Sequence, residues 1–273
     1  LLLACKSDKS SNTNYHGTQE ISVAPNNEVL SKLNEGDGNF KINSKILEDA
    51  VKTNLEAGYP EKAMDLMQNV LFHFGQGADA KEYGALTLNL FKGVEATEII
   101  YQGLLSGFQS KYPNHEVSLN AKTHISVLDL IEEKGKQITE EGSNRFNVQA
   151  AKEYIQISES YMLINPENKV AAEQLLKAAN LAKSIPAYAT KAVALYDWFI
   201  LKHPDHPKAG QALFLKAFTY DNDLNDDDKA RALYTEFLEK YPRDDFADDA
   251  AMLIQNLGKS DEELFEAITN QKN

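Results

Sequence analysis

The chain has 273 residues, 42% of them apolar, and carries 41 acidic against 28 basic side chains for a net charge of -13. That apolar share is enough to build a substantial core and excludes a wholly disordered chain. The acidic excess repels phosphate backbones and anionic lipid surfaces, which argues against nucleic acid as a partner.

The one cysteine, Cys5, follows Leu1, Leu2, Leu3 and Ala4 and precedes Lys6, Ser7, Asp8 and Lys9. An apolar run, a small residue and then a polar stretch is the pattern found at the end of a secretory signal peptide. Leu2-Leu3-Ala4-Cys5 is similar to the lipobox of bacterial lipoproteins, although Leu3 stands where a smaller residue is more usual. The resemblance implies cleavage before Cys5, lipidation of its thiol and a membrane hold that needs no spanning helix. Residues 1–5 then read as a signal-peptide remnant with its lipobox. The same resemblance implies export to the bacterial cell envelope. Lys6 stands where some bacteria use aspartate for inner-membrane retention, which points to the outer membrane, facing the periplasm.

Residues 6–40 read as a polar tether followed by a short helix, closed by the turn cluster Asn34-Glu35-Gly36-Asp37-Gly38-Asn39. A flexible segment of the tether's length reaches roughly 25 Å. After Phe40 the apolar periodicity is helical and no alternating run suggests a strand. The spacing predicts helix pairs at 41–57 with 60–74, 79–92 with 94–111, 116–133 with 147–165, 168–183 with 187–202, and 206–221 with 227–240. A further helix is predicted near 244–257, and a C-terminal capping helix within 258–273 opens at Ser260-Asp261-Glu262-Glu263.

Within the body, Ala192, Tyr196, Phe199 and Pro204 recur as Ala230, Tyr234, Phe237 and Pro242, each 38 positions later. Pro166 to Pro204 is the same step, whereas Pro113 to Pro166 is 53 positions, so an insertion is expected near 132–147. Its turn signals are Lys134-Gly135-Lys136 and Glu141-Gly142-Ser143. An alanine, an aromatic four residues on and another three beyond share one helical face. That face admits a neighbouring helix closely at the alanine and interlocks with it at the rings. Proline then ends the helix.

This spacing resembles the tetratricopeptide repeat over about residues 41–257, most closely in the last two pairs and loosely in the third. Gly58-Tyr59-Pro60-Glu61-Lys62-Ala63 looks like the opening of a second helix of that family, and Ala217 and Tyr220 fit its first-helix signature. The resemblance implies an all-α fold: a right-handed superhelical solenoid of antiparallel helix pairs with a concave groove that binds proteins or extended peptides. Repeats after a lipobox are also similar to the BamD family of outer-membrane-assembly lipoproteins, and the Phe-x4-Pro ending to the repeat domain of the Tol-Pal coordinator. Either likeness implies a periplasmic scaffold with envelope-protein partners.

No constellation for catalysis or for a cofactor is visible, so the chain is expected not to be an enzyme. His203-Pro204-Asp205-His206 has ligand-like spacing, but the proline breaks the register that would bring both rings to one side. Asp221, Asp223, Asn225 and Asp227 alternate like calcium ligands, yet Asp226 and Ala232 stand where that loop needs glycine and glutamate. A helix-capping turn near Asp227 is the simpler reading. Gly36-Asp37-Gly38 and Gly75-Gln76-Gly77 read as turns rather than phosphate cradles.

Candidate partner-binding residues are Trp198, which has no aromatic counterpart in the next repeat and is either a partner anchor or part of the packing between repeats, and Asn89, Lys92, Gln174 and Lys216 on the expected groove. The rival reading is a ligand-binding lipoprotein with a pocket for a glycan or small molecule near the 132–147 insertion.

Overall fold

The computed structural model describes residues 26–35, 40–74, 79–121, 126–139, 145–185 and 187–259. It is all-helical apart from one isolated bridge, Thr139 to Phe146, among the described residues. The helices are α1 (Asn26–Glu35), α2 (Phe40–Glu56), α3 (Pro60–Phe74), α4 (Ala80–Phe91), α5 (Glu98–Lys111), α6 (Glu116–Asn120) and α7 (Val127–Gln137). They continue with α8 (Val148–Ile164), α9 (Lys169–Lys183), α10 (Ala189–Lys202), α11 (Ala209–Asn222), α12 (Asp227–Lys240) and α13 (Ala247–Asn256), and a 3-10 turn, Glu95–Thr97, leads into α5. Sequential helices pack on one another from α8 to α13, as a helical solenoid of this class requires. No helix among the described residues is long and apolar enough to cross a membrane. Cys5, Gly36-Asp37-Gly38, Gly75-Gln76-Gly77, Glu141-Gly142-Ser143 and the expected capping helix from Ser260 lie outside them.

Local chemistry sets where the helices begin and end. Gly58 takes a φ of 78°, the left-handed region that costs glycine nothing, and turns α2 into α3, which Pro60 opens. The Asn168 side chain caps α9 by accepting from the Val170 and Ala171 amides at 2.9 and 3.1 Å. Asp226 does the same for α12 through the Lys229 amide at 3.1 Å. That is the capping turn expected of the acidic stretch. Asp221 accepts from the Tyr234 hydroxyl at 3.2 Å.

The repeated alanine and aromatics are the fully buried ones. Ala192, Tyr196 and Phe199 on α10, and Ala230, Tyr234 and Phe237 on α12, all have no exposed surface. The Phe214 ring of α11 packs on Tyr234, Phe237 and Phe246, with centroids 5.7, 5.6 and 4.7 Å apart. Together with Ala250 these form a core separate from the one that runs from α1 to the start of α11.

Two expectations around the insertion are corrected. The helix expected at 116–133 is broken into α6 and α7, because Ala121 is extended and Ser126 starts a new helix by capping the Leu128 amide. Lys134-Gly135-Lys136, expected as a turn, is helical. Val127 and Ile131 are buried on one side of α7, and Lys134 bonds Glu153 of α8 at 2.8 Å, so the stripe on α8 keeps the helix going. A Cβ on Gly135 would meet the Tyr154 ring at an ordinary 3.5 Å.

The most intimate packing in the fold is α5 on α8. A Cβ on Gly103 would collide with the Ser160 hydroxyl oxygen, and one on Gly107 would stand 2.6 Å from the Tyr161 carbonyl oxygen. Further along, Lys111 donates to the Ile164 carbonyl at 3.1 Å, and Asn165 and Asn168 donate to the Ser110 hydroxyl. Contacts that advance together on both helices mean that α5 and α8 run parallel. Residues 157–164 of α8 are all buried, so this helix is surrounded on every side.

Candidate functional site

The centrality of α8 puts a carboxylate inside the protein. Glu159 stands between Ser158 and Ser160 with its side chain 4% exposed, and both flanking hydroxyls turn back to α8's own carbonyls. Lys191, in the first turn of α10, reaches it at 2.7 Å and bonds Asp65 of α3 at 3.1 Å with the same ammonium. One lysine therefore ties three helices whose residues lie up to 126 positions apart.

Burial alone would pull the Lys191 ammonium down, but the charges of Glu159 and Asp65 outweigh it and hold the group above its ordinary value, protonated. Burial pushes the Glu159 carboxyl up; Lys191 draws it back, and Asp65 and Glu61 oppose that pull.

Beside this junction lies a cavity of about 200 Å³. Met64, Ile100 and Ile155 give it an apolar floor; Glu61, Asp65, Gln156 and Glu159 supply acceptors, and Lys152 and Lys191 supply cations. The Lys152 ammonium sits over the Tyr188 ring, 5.2 Å from its centroid. Ala187, also in the wall, holds a φ of 68°, an uncommon conformation for a residue with a side chain. The lining includes none of the described residues between 132 and 147, so this cavity is not the pocket expected beside the insertion; Phe146 there is 42% exposed.

The five candidate partner-binding residues are spread over α4, α9, α10 and α11, and none lines the cavity. Asn89 and Lys92, at the end of α4, are exposed. Gln174 of α9 is half-buried and accepts from the Tyr154 hydroxyl at 3.4 Å. Lys216 of α11 is tied to Asp197 of α10 at 2.5 Å. Trp198 is corrected: it is 5% exposed and part of the main core, because its position on α10 faces packed helices rather than solvent.

The two histidines of the inter-repeat turn are committed separately. His203 Nε2 meets the Pro166 carbonyl oxygen at 2.7 Å, His206 Nε2 meets Glu173 at 3.0 Å, and the ring centroids are 6.5 Å apart. Among the described residues no group of three or more histidine, cysteine, aspartate or glutamate side chains is arranged to hold a metal ion.

The sequence did carry a trace of the buried junction. Glu159 is the single charged residue between Ile155 and Ile164, in a helix otherwise apolar or hydroxylic. Such a carboxylate is rarely left unpaired. Its partner lies on another helix and has no sequence signature.

Residues 211–244 match the tetratricopeptide repeat family, so the chain contains at least one such repeat. The matched span runs from the first turn of α11 to the turn after α12. No curated protein matches the chain. Stacked repeats of this kind typically form non-catalytic scaffolds that bind proteins or peptides.

Proposed function

We propose that the chain is a lipid-anchored scaffold of the bacterial envelope, held to the outer membrane by acylated Cys5 and engaging other envelope proteins or extended peptides with its repeats. The observation that carries the scaffold is the tetratricopeptide match at 211–244 within a run of stacked helices. The anchor and the location rest on Leu2-Leu3-Ala4-Cys5 and the polar tether behind it. A likeness to the BamD type or to the Tol-Pal coordinator belongs to the same reading, with assembly of the outer membrane or envelope as the process served.

The test is a comparison of the full precursor with its Cys5→Ala variant in bacterial envelope fractions, with a photo-crosslinking residue at exposed Asn89 or Lys92. Acylation and membrane partition that depend on Cys5, together with a discrete crosslinked envelope protein, support the reading. Equal partition of the two forms removes the anchor, and crosslinks to no protein remove the scaffold.

A further inference from the structure

Glu159 leaves one oxygen unused. Lys191 takes Oε1 at 2.7 Å, and no donor among the described residues bonds Oε2, although the side chain is 4% exposed and borders the cavity. Glu159 lines the cavity, so a ligand's donor there can reach the free oxygen and make a charge-assisted hydrogen bond.

The charges around it fix the sign of that ligand. Glu61, Asp65 and Glu159 outnumber Lys152 and Lys191, and Lys191 is already committed to two of the carboxylates. An anion would meet Oε2 and Asp65 head-on. A cation with N–H groups can donate to Oε2 and bring the walls to neutrality.

The size and floor fix its body. Apolar cavities of about 150 Å³ hold a benzene-sized molecule, so about 200 Å³ accepts roughly eight non-hydrogen atoms. Met64, Ile100 and Ile155 offer that body an aliphatic bed.

We propose that the cavity between α3, α8 and α10 is a binding site for a primary ammonium on a short unbranched aliphatic chain, with Glu159 Oε2 as its anchor. A free alkylamine and a lysine side chain presented by a peptide share this chemistry. The site does not rest on the anchored-scaffold reading, since it would bind in a form lacking acylation.

Calorimetric titration of the 273-residue chain with n-pentylamine, 1-pentanol and pentanoate tests it without any variant. The amine binds and the other two bind at least about tenfold more weakly, the scale of a charge-assisted hydrogen bond. Glu159→Gln, which keeps the shape and an acceptor for Lys191, weakens amine binding roughly tenfold to hundredfold, with circular dichroism confirming that it stays folded. Met64→Phe, which fills the floor, removes binding with the carboxylate intact. A parallel titration with Nα-acetyl-lysine methylamide separates the sources: tighter binding than pentylamine assigns the site to a peptide's lysine, weaker binding to a free amine. Pentanoate or pentanol binding as well as pentylamine, amine binding unchanged by Glu159→Gln, or no amine binding at millimolar concentration overturns the proposal.

Discussion

Gly107 lies so close to Tyr161 that a Cβ added to it would stand 2.6 Å from the tyrosine's carbonyl oxygen, a backbone atom that has nowhere to go. Gly103, one turn earlier, faces the Ile157 carbonyl at 2.8 Å in the same sense. Gly107→Ala therefore forces α5 and α8 apart and lowers the unfolding free energy by about 1–3 kcal/mol, despite the roughly 1 kcal/mol that alanine gains in a helix. Gly135→Ala in α7 is the control: its nearest neighbour is the Tyr154 ring at 3.5 Å, an ordinary contact. That variant gains about 0.5–1 kcal/mol. Urea denaturation of both decides the matter, and equal stability of the two would mean that the seam is not this tight.

Lys191→Met leaves Glu159 buried with no cation. The loss at pH 8 is about 2–4 kcal/mol, below the full cost of stripping a buried pair because Lys191 is itself 21% exposed. The deficit has a definite pH dependence. Burial raises the Glu159 carboxyl, so the folded state takes up its proton at a pH where the unfolded chain does not. Stability from this group is then full below the unfolded value and is lost as pH rises through the folded one. The variant, with the carboxyl raised further, recovers relative to the parent as pH falls from 8 toward 5. Denaturation curves at both ends of that window check it; a constant gap contradicts the account.

Asn168→Ala removes the cap of α9 and the tie to Ser110 together. The expected cost is about 1–2 kcal/mol, while Asn168→Asp retains the capping oxygen and loses only the amide donor. Thermal unfolding of the pair should rank alanine below aspartate.

Trp198, the chain's one tryptophan, serves as its own reporter. At 5% exposure its emission is blue-shifted and resists acrylamide quenching in the native state. Trp198→Ala costs about 3–5 kcal/mol. Emission already at the position of free tryptophan before denaturant is added would place the ring outside the core.

The repeat was readable because it is written in one dimension. The alanine, tyrosine and phenylalanine of the repeated spacing on α10 and α12 turn out to be fully buried, Pro204 and Pro242 lie exposed just past those helices, and the helices from α8 to α12 lie within three residues of the expected positions. The break at Ser126 was missed because apolar residues continue with helical spacing on both sides of it, and a cap is a local hydrogen bond that periodicity does not register. The α5–α8 seam was missed for a related reason. Two glycines four residues apart look like weak helix formers until a second helix is laid against them. Trp198 stayed open between a partner anchor and packing between repeats, because Glu236, its counterpart one repeat on, faces different neighbours and gives no guide. Least legible of all was the link from Asp65 to Lys191, which is a property of how far the chain curls before α10 begins.

That link changes how the molecule should come apart. In an array where each pair touches only the next, unfolding can begin at either end and spread step by step. Here a contact of long sequence separation binds α3, α8 and α10, so the loop between them must close before the junction exists, and opening it frees both flanks together. The segment α11–α13 has an aromatic core of its own and, among the described residues, no buried ion pair of such long sequence separation. Its amides should exchange with solvent by a separate, lower-energy opening, leaving α3–α10 to exchange as one cooperative unit.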